Sequence, residues 1–278
     1  MPADRRTRSS AVAVMERPRR LVPLVLALAV LLATAEPAAG QDAPPALPND
    51  GVVATTEQDC FETGDRRPVP PAVAESYLPE GYQLSPLGGM ANVGFVDYVC
   101  GALSVDGHEA RPTIVSMGTV SVTREGDYLL WIGTDNPLHF ARLQQLGVNV
   151  FFIPRSTVQM STTSEGFLRL EVEYVGNGPG GLDYTRTITT RTATPPTGTT
   201  TESAGLFWHE GSAGEVRVDF DNLTEPGWPS TVCFELAEGS LPLAYGITEF
   251  PTDPSCFPNA RTLIRGSWDG TWTLTGAG

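Results

Sequence analysis

The sequence predicts a mainly β or α+β chain: a bent antiparallel sheet or barrel-like core with one or two short helices, stapled by disulfides. Three observations predict it. Strict alternation of apolar and polar residues recurs, as in Phe167–Val175 (FLRLEVEYV) and Glu215–Asp221 (EVRVDFD), the pattern of half-buried antiparallel strands. Turn dipeptides punctuate the chain between such runs, at Asp106-Gly107, Glu125-Gly126, Gly176–Gly181, Pro195-Pro196 and Asp269-Gly270. And one segment stands out with helix signals at both ends.

The elements follow in order. Residues 73–278 form one β-rich domain. Strands are expected over Asn92–Val99, Thr113–Val122, Tyr128–Gly133, Val148–Ile153, Phe167–Val175, Tyr184–Thr192, Gly205–Glu210, Glu215–Asp221, Thr231–Leu236 and Ser267–Leu274. Trp268–Trp272 reads as a tight hairpin around Asp269-Gly270. The helix is Leu138–Leu146: Asn136 can cap it, Pro137 suits its first turn and Gly147 can end it. A second short helix falls within Pro70–Tyr77. Residues 41–72, rich in Pro, Ala and acids, read as a flexible leader.

The first 40 residues have the order of a secretory signal. A stretch with Arg17, Arg19 and Arg20 precedes the apolar run Leu21–Ala33, and Ala38 and Gly40 precede a cleavage point before Gln41. The run is 13 residues, short of the roughly 18 of a spanning helix. The expected location is therefore extracytoplasmic, with no integral membrane association after cleavage. In that setting the four cysteines, Cys60, Cys100, Cys233 and Cys256, are expected as two disulfides. Three pairings are open, and the local one, Cys60–Cys100 with Cys233–Cys256, is preferred; such loops stabilise by roughly 3–4 kcal/mol each on the chain-entropy model.

Composition excludes several chemistries. Formal net charge is −14, and all 18 cationic residues are arginines. The negative sign opposes binding to nucleic acid. Without lysine there is no side-chain Schiff base, no Ser–Lys dyad and no phosphate-loop lysine, so no cofactor is implied. No CxxC pair or HExxH exists, and His108, His139 and His209 lie in separate segments, so no metal site is expected. Asp219, Asp221 and Asn222 form a weak acidic cluster whose alternation points to solvent. No GxSxG elbow occurs. Asn222-Leu223-Thr224 is a glycosylation sequon.

The stretch Tyr128–Met160, YLLWIGTDNPLHFARLQQLGVNVFFIPRSTVQM, resembles the central segment of the acetoacetate decarboxylase-like family: strand, Asp/Asn-Pro helix start, short helix, glycine, strand. The upstream LPEGYQLSPLGG and NVGFVDYV are compatible with its early strands, and the resemblance spans Tyr77 to Phe220. It implies a bent sheet around an interior cavity for a small or apolar acid. It does not imply the family's reaction. The family motif Gly-x-Pro-Lys supplies the imine lysine, and here the positions read Gly147-Val148-Asn149-Val150. Arg142 and Arg155 flank the segment and can anchor a carboxylate; the plain alternative is two surface arginines. His139 and His209 complete the candidate ligand contacts.

The first functional reading is a secreted, non-catalytic domain that holds a small apolar or carboxylic ligand in an interior cavity. The second is an exported enzyme, lysine-independent and decarboxylase-like or a carboxylate-based hydrolase. The third is a cell-surface structural or interaction protein. A lined interior pocket with one buried Arg or His favours the first two readings, a buried titratable pair inside it favours the second, and a fully packed core favours the third.

Overall fold

The computed structural model describes residues 51–174, 184–192, 194, 196–236 and 255–275. The signal-like residues 1–40, leader residues 41–50, Pro195 of the Pro195-Pro196 turn and the glycine-rich run Gly176–Gly181 lie outside them. Among these residues twelve strands form in chain order: β1 (Val52–Val69), β2 (Ala91–Val105), β3 (Arg111–Ser121), β4 (Asp127–Thr134), β5 (Val150–Phe152), β6 (Ser156–Thr162), β7 (Leu168–Tyr174), β8 (Tyr184–Thr190), β9 (Thr201–Gly211), β10 (Gly214–Thr224), β11 (Trp228–Leu236) and β12 (Ser255–Thr275). Two short helices accompany them, α1 (Pro71–Glu75) and α2 (Pro137–Gln145).

Seven strands close a barrel in the order β1-β2-β3-β4-β9-β10-β12, with β12 returning to β1. Closure removes the free edges that an open sheet would expose. The 21-residue β12 belongs to two sheets. Its residues from Ile264 onward pair with β1 and β10, while Ser255–Leu263 pair with β11. From there a second layer runs β11-β8-β7-β6.

Residues 52–69, expected in the flexible leader, instead form β1, paired to β2 on one side and β12 on the other. The acids and prolines of this segment obscured a strand whose buried positions include Val53, Thr55, Glu57, Cys60, Thr63 and Val69. Its alternation breaks at a bulge between Glu57 and Cys60, where Asp59 takes φ +51°. The hairpin expected at Asp269-Gly270 is likewise absent: β12 runs straight through, with Asp269 opposite Thr56 and Asp221. Gly270 serves close packing rather than a turn, since a Cβ there would collide with the Thr55 hydroxyl and the Phe220 ring.

The barrel lumen and the space between barrel and second layer are separate cores. The lumen is filled by Val53, Leu103, Met117, Leu129, Val216, Val218, Trp268 and Trp272, with Leu143 of α2 and Leu146 at its C-cap. The Asn136 side chain accepts from the backbone N–H groups of Leu138 and His139, at 3.1 and 3.2 Å, as the sequence led one to expect. Helix α2 joins β4 to the parallel strand β5 and presents its apolar stripe to this core. The interlayer core holds Phe95, Trp131, Leu170, Val172, Ile188 and Trp228. Trp131 is fully buried and lies where a side chain on Gly118 would be.

A charged clamp crosses the interlayer core. Asp97 of β2 pairs with Arg186 of β8 at 2.6 Å, both side chains fully buried. Asp97 also accepts from Ser116 Oγ at 2.5 Å and Tyr174 Oη at 3.1 Å, and Arg186 donates to the Thr63 carbonyl at 2.9 Å. Cys60 and Cys100 form a disulfide between directly opposed residues of β1 and β2. Cys233 is disulfide-bonded and faces Cys256 across the β11–β12 ladder.

Candidate functional site

The two ends of the barrel differ. At one end α2 packs into the lumen through Leu143 and its C-cap Leu146. Asp106, in the β2–β3 turn, fixes the helix there by pairing with Arg142 Nε at 2.7 Å. Toward the other end the packing stops short and leaves a cavity of about 170 Å³. Its wall is built by six barrel strands: Glu62 and Arg66 from β1, Val96 and Tyr98 from β2, Thr119 from β3, Asp127 from β4, Phe207 from β9, and Phe220 with Asn222 from β10. Gly94 and Gly205 complete it with no side chain to fill the space.

Charge at this mouth is unevenly shared. Arg66 donates to Asp127 Oδ2 at 2.7 Å and to Ser121 Oγ at 3.0 Å, with half of its side chain exposed. Glu62 supplies a second carboxylate to the wall. Tyr98 is held edge-on against Trp268, ring centres 5.2 Å apart, and Phe207 edge-on against Phe220. The sequon residue Asn222 turns its amide into the barrel wall, with Oδ1 buried and without a hydrogen-bond partner among the described residues.

Deeper in the lumen sits Glu57, fully buried. Its Oε2 lies 3.7 Å from Cys100 Sγ. Burial first, and then the charges of Glu62 and Asp269, push its carboxyl up to about 8, so it is protonated at neutral pH. Glu57, Cys60 and Cys100 are the one cluster of potential metal-ligating atoms among the described residues, and its two sulfurs are bonded to each other.

The four residues singled out from the sequence lie elsewhere. Arg142 is buried in its ion pair with Asp106. Arg155 is exposed, between β5 and β6. His209 is a bridge between backbones: Nδ1 donates to the Leu129 carbonyl at 2.8 Å, and Nε2 accepts the Asn149 N–H at 3.0 Å. That pair of partners fixes the tautomer, and burial lowers the pKa of the ring. His139 lies fully buried, edge-on to Trp272. Neither of its ring nitrogens has a hydrogen-bond partner among the described residues, and burial lowers its pKa to about 3. None of the four lines the mouth cavity. The residues that do were missed because inward-facing Gly, Tyr and Phe on separate strands carry no local signal.

His139 gives an expected outcome. Its folded pKa is depressed, so the stability it confers is present above about 6.5 and lost as pH falls toward 3. His139→Phe removes that loss and the two buried nitrogens. At pH 5 the variant is expected to gain about 2 kcal/mol over the parent beyond any difference at pH 8, read from urea unfolding at both pH values. An equal difference at both would show that His139 does not titrate on unfolding.

No family model matches the chain, and no curated protein does. Solved structures do. They include acetoacetate decarboxylase from Legionella pneumophila, at 12% identity and TM-score 0.48, covering 91% of this chain and 96% of that one. An acetoacetate decarboxylase-like enzyme from Sphingomonas wittichii RW1 is similar at 11% identity and TM-score 0.46, covering 82% and 92%. The enduracididine biosynthesis enzyme MppR, complexed with pyruvate, is similar at 12% identity and TM-score 0.47, covering 86% and 91%. The first two bear the name of the family that Tyr128–Met160 resembles. At such identities and TM-scores they say nothing of this chain's chemistry.

Proposed function

We infer that the protein is an exported, non-catalytic domain that binds a small molecule in the mouth of its barrel. The observation that supports this is the cavity itself, walled by six strands at the end of the lumen that α2 does not fill. Its volume of about 170 Å³ equals roughly six water molecules, which suits a ligand of amino-acid size or less. The wall suits the small apolar or carboxylic ligand expected from sequence, its carbon chain against Tyr98, Phe207 and Phe220 and its carboxylate toward the half-exposed Arg66. The lining holds no Lys, His or Cys, which supports binding rather than covalent catalysis.

Native mass spectrometry of the exported protein tests the reading, with short amines and short carboxylic acids offered in turn. The expected result is a one-to-one acid adduct that is lost in the Gly205→Leu variant. A Cβ at Gly205 meets only ordinary contacts, 3.5 Å from the Phe207 ring and 3.6 Å from Phe220 Cβ, so a larger side chain enters the cavity. Binding of amines but not acids would overturn the ligand class. No adduct of either kind on folded protein would overturn the binding reading. The same spectrum reports the mature end, expected at Gln41.

A further inference from the structure

The second layer ends on β6, which pairs with β7 alone among the described strands. Its outer edge therefore presents a row of backbone N–H and C=O groups. Edge strands are normally blunted by charge, proline or a bulge. The strand β6, Ser-Thr-Val-Gln-Met-Ser-Thr, has no charged residue and no proline, and its seven residues pair with β7 in unbroken register. Six of the seven are exposed.

Its side chains continue an apolar surface past the point where the barrel covers it. Val158 lies opposite Val172 and Met160 opposite Leu170. Val172 and Leu170 are fully buried in the interlayer core, whereas Val158 and Met160 are 38% and 50% exposed. Two core rows thus run out to the edge and stop uncovered.

We propose that β6 is a homodimer seam, in which two copies of this chain pair antiparallel about Gln159 to make one continuous sheet. The sequence is chemically palindromic about that residue. Pairing there sets Val158 against Met160 of the second copy, Thr157 against Ser161, Ser156 against Thr162, and Gln159 against itself. Apolar meets apolar and hydroxyl meets hydroxyl at every position. The two core rows are thereby extended across the axis. Charge also favours this place over others. In a chain of net −14, an uncharged strand is where two copies meet without like-charge repulsion. The same register carries the exposed Arg155 of each copy toward the Thr163–Gly166 turn of the other, which bears the exposed Glu165. The arrangement is isologous and closed, so it stops at two.

Sedimentation velocity on the full mature chain from 1 to about 100 μM, with cysteine cross-linking, tests the seam. The parent is expected to be dimeric at the upper concentrations, and Val158→Lys to be monomeric there. Val158 is partly exposed at the edge, and folding of the Val158→Lys variant is checked by unchanged circular dichroism. No free cysteine is present among the described residues, so an introduced thiol reports alone. Gln159→Cys is expected to give a covalent dimer under mild oxidation at least tenfold faster than Ser156→Cys, which faces position 162 instead. Arg155→Glu is expected to weaken the dimer and Arg155→Glu with Glu165→Arg to restore it. A parent that stays monomeric at 100 μM overturns the proposal, as do open-ended assemblies or equal cross-linking at positions 156 and 159.

Discussion

Asp97→Ala is expected to lower the unfolding free energy by about 3–5 kcal/mol, the cost of leaving a buried charge without its partner. The stranded group is Arg186, whose side chain is fully enclosed between barrel and second layer. The same substitution removes the acceptor for Ser116 and Tyr174, each a buried donor that loses a partner. Urea unfolding measures the loss. The control is Asp97→Leu with Arg186→Met, which removes both charges and keeps the volume apolar. It is expected to be clearly more stable than Asp97→Ala, because paired buried charges are replaced at little net cost while a single one is not. A loss under 1 kcal/mol for Asp97→Ala would mean that water reaches Arg186. The clamp would then be incidental to how the layers dock.

Glu57→Gln is expected to keep its stability as pH rises through a range where the parent weakens. The Glu57 carboxyl has a folded pKa of about 8 against an ordinary 4.5. Its contribution to stability is therefore fully present below 4.5 and lost as pH rises through 8, because the unfolded chain releases a proton that the native state keeps. Between pH 5 and 8 the loss amounts to about 3.5 kcal/mol. Glutamine copies the shape of the protonated acid and carries no titratable proton. The difference between variant and parent in urea midpoint is expected to grow steadily from pH 5 to 8 and then level off. A difference that stays constant with pH would show that the native state holds Glu57 ionised. The barrel would then have to supply that carboxylate with a donor.

The strands with clean alternation, such as Leu168–Tyr174 and Gly214–Thr224, were legible because one face of each meets a core and the other meets solvent. The cap of α2 was legible because Asn136, Pro137 and Gly147 act within a few residues. Strand β1 was not. Both its edges are paired, its bulge shifts the inward phase, and one inward residue is an acid whose protonation depends on the burial itself. Strand β6 was missed for the opposite reason: six of its seven residues are exposed, so no periodicity in burial marks it.

The sequence by itself determined the β-rich class, the helix ends and the loss of lysine chemistry, and it favoured Cys60–Cys100 among three possible pairings. These rest on local periodicity, residue inventory and short loops. Tertiary structure alone decided that the sheet closes on itself, that α2 fills one end of the lumen, and that a cavity remains at the other. It also took Arg142 and His209 into structural contacts and placed His139 against Trp272. Those outcomes depend on strands far apart in the chain converging on one lumen. Whether an inward tyrosine or glycine lines a packed layer or an open mouth depends on what the opposite wall contributes.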